Sequence, residues 1–133
     1  MNKMKNENIK MKNDKEKFKK EFKLRIYNWI IILVKFIDSL PKDIISNVVS
    51  RKLIRSGTSV GANYVEAQAA SSKKDFTNFI HYCLKSSNEC KFWICLLKDT
   101  KRVDPNKISR LLDEIVEIAN ILGGSLLTLK GKR

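Results

Sequence analysis

The sequence predicts an all-α protein whose four helices form an antiparallel up-down-up-down bundle. Four segments repeat apolar residues at intervals of three and four, and no segment alternates apolar and polar residues as a strand does. The connections are short, and the chain holds only two prolines and five glycines, so few turns separate long elements. A length of 133 residues, 43% hydrophobic and 31% charged, fits one folded helical domain.

The first two helices are predicted at about residues 15–40 and 44–70, after a basic tail, residues 1–14, that we expect to be disordered or frayed. The run NWIIILVKFI in the first helix is apolar on nearly all sides. It predicts either two faces buried within the chain or one face buried against another subunit. Asp43, which follows Pro41, is expected to cap the second helix. The predicted buried stripes are Phe22, Ile26, Trp29, Leu33, Phe36 and Leu40 in the first helix, and Ile45, Val49, Lys52, Ser56, Val60, Asn63 and Ala67 in the second.

The other two helices are predicted at about residues 73–101 and 106–123. Ser72 and Asp75 resemble a capping box at the start of the third, and Pro105 lies near the first turn of the fourth. Gly123 and Gly124 are expected to weaken or end the fourth helix, so that 126–129 form a frayed extension of the bundle (15–128) before a basic tail, 129–133. The predicted buried stripes are Phe76, Ile80, Cys83, Ser87, Cys90, Ile94 and Leu97, and then Ile108, Leu111, Leu112, Ile115, Ile118, Ala119, Leu122 and Leu126.

No enzyme signature is present, and we expect no metal or cofactor. The single histidine, His81, lies two residues from Cys83, so the two side chains point to different faces of a helix. The GTSVG segment lacks the lysine and the strand context of a phosphate-binding loop. The three cysteines, Cys83, Cys90 and Cys95, are interpreted as small apolar residues in a reducing compartment. With no signal peptide and no apolar run near 20 residues, we expect a cytoplasmic protein without membrane contact.

Gly57 and Gly61 lie one turn apart inside a helical pattern, although each glycine costs a helix interior about 1 kcal/mol relative to alanine. We interpret them as a site where a neighbouring helix packs closely. Asn63 and Glu66 follow, three residues apart; they fit a polar network within the bundle or, alternatively, a direct ligand contact.

The net charge of +13 indicates a polyanionic partner, or else a solvated surface that keeps the protein soluble. Eight of the 13 excess charges fall in residues 1–23 and 130–133. The other five fall in residues 24–129. Basic residues of the second and third helices form either a solvated face or, alternatively, a phosphate-binding surface that is repeated around an oligomeric ring. No base-reading motif is present, so any RNA or DNA contact is expected through phosphates and shape. The candidate nucleic-acid-binding residues are Arg51, Lys52, Arg55, Lys73, Lys74, Lys85 and Lys91.

The segment from Arg55 to Trp93 resembles the core of the proteins encoded in intervening sequences of 23S ribosomal RNA genes. That family carries an R-S/A-x-T-S-[IV]-x-A-N-x-x-E string, then S-K-K-[DE]-F, then an A-L-K-x-x-x-E-T-x-x-W-L pattern. The resemblance covers roughly residues 20–125, and Cys83 stands where alanine is usual. The residues to which the resemblance assigns a structural role are Arg55, Thr58, Ser59, Gly61, Asn63, Glu66, Asp75, Phe76 and Glu89.

The resemblance implies a bundle that assembles as a ring-like homopentamer. A related branch contains accessory proteins of diversity-generating retroelements, which bind nucleic acid and a reverse transcriptase. Two hypotheses follow for this chain. The first is a non-enzymatic oligomer that binds RNA or DNA through a basic surface. The second is a protein-interaction scaffold or accessory subunit, for example of a reverse transcriptase, with no nucleic-acid contact of its own.

Overall fold

A computed structural model describes residues 3–131 and places nearly all of them in four helices. These are α1 (Lys3–Asp38), α2 (Ile44–Gln68), α3 (Lys73–Asp99) and α4 (Pro105–Leu129). Each helix packs on the next along the chain, and α1 also packs on α4, so the four helices enclose one hydrophobic core. The predicted all-α four-helix bundle is therefore confirmed, and no strand occurs in the range described.

The core confirms the predicted stripes of α1, α3 and α4, in which only Phe76 and Leu112 are half-buried rather than buried. The prediction for α2 was wrong at three positions: Ile45 and Lys52 are exposed, and Asn63 is half-buried. The helix is rotated so that larger apolar side chains enter the core, which removes more apolar area from water. The buried residues of α2 are Ser46, Val49, Leu53, Ser56, Gly57, Val60, Tyr64 and Ala67.

Side-chain caps fix the starts of three helices. The Asp43 carboxylate accepts a hydrogen bond from the Ser46 N–H at 2.7 Å, and the Ser72 hydroxyl accepts one from the Asp75 N–H at 3.1 Å. Asp104 accepts from the Asn106 N–H at 2.9 Å. Each bond satisfies an N–H that the helix itself leaves unpaired.

The two ends of the helical region differ from the sequence prediction. The expected tail over residues 1–14 is helical from Lys3 onward, because lysine, glutamate and methionine are good helix formers and extending an established helix needs no new nucleus. α4 continues past Gly124 to Leu129, because Leu122 and Leu126 are both buried and hold this segment against the core. Residues 1–2 and 132–133 of the predicted tails lie outside the described residues.

α1 and α2 approach closely at the two glycines, as the sequence predicted. A Cβ added to Gly57 would collide with Cδ2 of Leu33 and lie 3.4 Å from the Trp29 ring. A Cβ on Gly61 would lie 2.7 Å from Cδ1 of Ile30. Leu33 and Trp29 are buried, so the first collision cannot be relieved by moving a side chain into solvent. The glycines are therefore explained by helix packing.

The outer side of α1 remains apolar and exposed. Leu24 and Tyr27 are more than half exposed, at 57% and 60%, and Ile31, Ile32 and Val34 are each about 40% exposed. Of the two alternatives for NWIIILVKFI, burial of both faces within the chain does not occur, and burial of one face against another subunit stays a prediction. Among residues 3–131, no helix is long and apolar enough to cross a membrane.

Candidate nucleic-acid interface

The seven predicted nucleic-acid-binding residues lie on the surfaces of α2 and α3. Arg51, Lys52 and Arg55 lie along the middle of α2 and are exposed. Lys91 is half-buried in a groove between α3 and α4. The remaining three, all exposed on α3, are Lys73, Lys74 and Lys85.

The structure does not gather these seven cations into one cluster. Lys73 and Lys91 are separated by about 27 Å along α3, at about 1.5 Å per residue. Ser56 of α2 contacts Cys90 of α3, so Arg55 and Lys91 lie at the same level of the bundle, although Lys91 faces the groove beside α4. The result is a set of separated basic positions rather than a compact pocket, an arrangement suited to an extended polyanion.

None of the seven has a carboxylate partner among the described residues, whereas two other arginines are paired. Arg25 of α1 donates to both carboxylate oxygens of Glu114 in α4, at 2.8 and 2.6 Å, and to Glu117 at 2.6 Å. Arg102 lies 3.5 Å from Asp43. The paired arginines therefore join elements of the bundle, while the candidate interface keeps its positive charges available.

The Arg25 ion pair changes the ionisation of both partners. Its hydrogen bond to Glu114 raises the pKa of Arg25, and the same bond lowers the pKa of the Glu114 carboxyl. Sequence patterns did not indicate this pair, because the two residues are 89 positions apart and each reads as an ordinary surface charge.

The polar residues of the family motif bond mostly to their own helix. Thr58 and Ser59 donate to the carbonyls of Ile54 and Arg55, both at 2.7 Å, and the Asn63 amide donates to the Ser59 carbonyl at 2.9 Å. Glu66 is exposed, and its carboxylate has no hydrogen-bond partner in the described range. The predicted network between Asn63 and Glu66 is therefore absent.

The other motif residues lie on α2 and α3. The Asp75 backbone is capped by Ser72, and Phe76 is half-buried against the core. Glu89 and Arg55 are both exposed. Their side chains are free to contact a partner molecule, whereas Gly61 serves the packing of α1.

The cysteines are structural. Cys83 and Cys90 are buried, and burial raises the pKa of each thiol to about 12, so both stay protonated at neutral pH. Cys90 lies 3.4 Å from the Ser56 hydroxyl, and Cys95 is half-buried and free. Over residues 3–131, no group of three or more potential ligands could hold a metal ion. His81 is exposed on α3.

Sequence reasoning missed one segment of the surface, the start of α1. Met4, Met11 and Phe18 recur every seven residues, each between two lysines, and all three are at least half exposed. A seven-residue repeat of apolar side chains indicates a helix. The segment is nevertheless so rich in charged residues that it was interpreted as a solvated tail. The first buried residue of α1 is Phe22, so residues 3–21 form an exposed helical arm.

The comparisons with known proteins agree with this architecture. No curated protein matches the chain. Among solved structures, it is similar to a protein of unknown function from the S23 ribosomal protein family of Bacteroides thetaiotaomicron. The two share 27% sequence identity and a TM-score of 0.73, over 81% of this chain and 96% of that one. The family model of the 23S rRNA-intervening sequence protein matches residues 16–124. The chain therefore belongs to the family of 23S rRNA-intervening sequence proteins.

Proposed function

We propose that this protein is a non-enzymatic, oligomeric nucleic-acid-binding protein that contacts RNA or DNA through phosphates, without reading base sequence. The observation that carries the proposal is the set of basic residues on α2 and α3 that have no acidic partner, in a chain of net charge +13. Arg51 and Arg55 are one turn apart and both exposed, a spacing that lets two guanidinium groups contact neighbouring phosphates.

We infer an antiparallel order for neighbouring helices. Gly57 faces Leu33 and Gly61 faces Ile30, so the residue number rises along α2 as it falls along α1. Arg25 contacts Glu114, and Trp29 donates to the Leu111 carbonyl at 3.0 Å, which supports the same relation between α1 and α4. Short connections between consecutive helices fit this up-down-up-down path.

We further propose that the chain assembles into a ring-like homopentamer through the outer side of α1 and α2. This face carries Leu24, Tyr27, Ile31 and Val34, beside an apolar groove of about 460 Å³ between the two helices that Gly61, Ala62 and Val65 also line. A contiguous apolar surface of this kind is typical of a subunit interface. A ring would repeat the basic positions several times along one polyanion, which multiplies the electrostatic attraction.

Binding is tested with fluorescently labelled RNA and DNA of random sequence across a range of salt concentrations. Replacing Arg51 and Arg55 by glutamine should lower the slope of log affinity against log salt by about 1.4 to 1.8, since each phosphate contact contributes about 0.7 to 0.9. The matched control replaces Lys98 and Lys107, which are exposed elsewhere, and should leave the slope unchanged. An equal decrease of the salt slope in both variants would show that net charge, not this surface, governs binding.

Assembly is tested separately by light scattering. We expect a mass five times that of the chain, and we expect Ile31→Lys to dissociate the oligomer, because it places a charge within the apolar face. A monomeric wild-type protein at micromolar concentration would contradict the assembly proposal.

The second candidate function is a protein-interaction scaffold, for example an accessory subunit of a reverse transcriptase, that does not itself touch nucleic acid. The start of α2 favours this candidate: Ile44, Ile45 and Val48 are 80%, 44% and 47% exposed and form a second apolar surface. A specific protein retained on the immobilised chain after nuclease treatment, and lost with Ile44→Lys, would support it. Salt-sensitive binding of purified protein to RNA or DNA would contradict it.

A further inference from the structure

A cavity opens where the arm of α1 meets the end of the bundle. It has a volume of about 910 Å³ and lies between residues 14–22 of α1 and the nearby ends of the other three helices. We call it the terminal cleft. Its volume falls in the range of about 300–1,000 Å³ that is usual for small-ligand sites.

Aromatic rings form one wall of the terminal cleft. The rings of Phe18 and Phe22 are stacked, with centroids 5.7 Å apart and an interplanar angle of 20°. Tyr64 meets Phe22 edge-on at 5.2 Å, and Phe76 of α3 also lines the space. Phe22 and Tyr64 are buried, whereas Phe18 is 50% exposed. Phe18 therefore offers an open ring surface that is held in place by stacking on Phe22.

Cations lie beside this ring. Lys15 and Lys19 are one turn apart and line the cleft together with Phe18. Both lysines are exposed and have no ion-pair partner within residues 3–131, and Asp14 is the acidic residue of the lining. A flat aromatic surface flanked by two ammonium groups complements a planar ring that carries a negatively charged group, which is the chemistry of a nucleotide.

A second groove continues from the terminal cleft. It has a volume of about 460 Å³, shares Asn120 and Gly124 with the cleft, and runs between α3 and α4 to Lys91. Gly123 also lines it, and a Cβ added there would meet no other atom within 4 Å. Packing within the chain therefore does not require this glycine, whereas a ligand backbone passing over α4 would benefit from the missing side chain.

We propose that the terminal cleft holds an unstacked base of a single-stranded nucleic acid. The base stacks on Phe18, its neighbouring phosphates contact Lys15 and Lys19, and the strand continues over Gly123 to Lys91. Both faces of every internal base of a duplex are covered by stacked neighbours, so the site selects single strands. This inference rests on the proposed nucleic-acid binding and specifies its substrate class.

The test measures the anisotropy of a labelled 12-nucleotide oligouridine and of an RNA duplex of the same length, with the full chain. We expect tighter binding of the single strand, and we expect Phe18→Ala to weaken it by roughly 5- to 150-fold, the range for loss of one base–aromatic stack. The matched control is Phe92→Ala, which removes a 60% exposed ring on α3 that packs on Trp93 outside the cleft. It should leave the affinity unchanged.

A charge variant gives independent support. Replacing Lys15 and Lys19 by glutamine should lower the single-strand salt slope by about 1.4, since each contact contributes about 0.7. The same change at Lys42 and Lys107, at the other end of the bundle, should not alter it.

Any of the following outcomes would overturn the inference. Equal affinity for single strand and duplex, or Phe18→Ala binding like the wild type, would remove the stacking site while leaving the proposed function intact. A change in oligomer mass on Phe18→Ala, with unchanged binding, would make the cleft a subunit contact. Absence of binding to both probes at low salt would overturn the proposed function as well.

Discussion

The two glycine substitutions Gly57→Ala and Gly123→Ala should change stability in opposite directions. Both replace a helical glycine by alanine, which stabilises a helix interior by about 1 kcal/mol. At Gly123 the new Cβ enters open space, so the variant should be about 1 kcal/mol more stable than the wild type. At Gly57 the Cβ collides with Leu33 and presses on Trp29, which are 0% and 1% exposed.

Forcing an extra methyl group into a packed core costs about 1–3 kcal/mol. After the helix gain is subtracted, Gly57→Ala should therefore be destabilised by up to about 2 kcal/mol. The difference in stability between the two variants equals the packing cost at Gly57, because the gain in helix propensity is common to both. Gly61→Ala should fall between them, since the Ile30 methyl that it meets belongs to a half-buried side chain.

The assay is urea unfolding followed by circular dichroism at one fixed protein concentration, since association also contributes to stability. The midpoint should rise for Gly123→Ala and fall for Gly57→Ala. If both variants were stabilised equally, close packing of α1 against α2 would not be the reason for glycine at position 57.

Three further substitutions test the contacts that hold the bundle. Arg25 lowers the pKa of Glu114, so the stability from this pair is present above about pH 4 and is lost as pH falls through the folded-state pKa. Glu114→Gln should thus cost about 1 kcal/mol at pH 7, with a smaller difference from the wild type at pH 3, in unfolding measured at both pH values. Trp29→Phe should cost about 2 kcal/mol in urea unfolding, because it leaves a gap and removes the buried hydrogen bond to Leu111. Lys101 has a φ of 56° after α3, so Lys101→Gly should raise the thermal midpoint by the equivalent of about 1 kcal/mol. Wild-type-like behaviour of any of these variants would refute the role assigned to that contact.

Local periodicity predicted most of the fold. The stripe of α3 from Ile80 to Leu97 was correct because each residue must enter the same core at a fixed rotation per residue. The stripe of α2 was partly wrong, because small and polar residues such as Ser56 and Ser59 give a weak hydrophobic signal in that region. Its orientation is decided by where Leu53 and Tyr64 can be buried, which depends on the neighbouring helices.

The candidate site was less predictable than the fold. The arginines of α2 could be identified as candidates from the sequence. Their separation from Lys91 could not, because it depends on which side of α3 faces α4. The terminal cleft brings Phe18 close to the ends of three other helices, and no local sequence pattern predicts which helix ends lie together. Gly123 was interpreted as a helix end because a glycine pair usually weakens a helix, whereas burial of Leu126 keeps α4 intact.

The most direct test of the proposed function is the affinity of the wild-type protein for labelled single-stranded RNA between about 50 and 200 mM salt. A surface that contacts at least six phosphates predicts a linear fall of log affinity against log salt with a slope of about −4 or steeper. Failure to bind at 50 mM salt, or an affinity that does not change with salt, would contradict it.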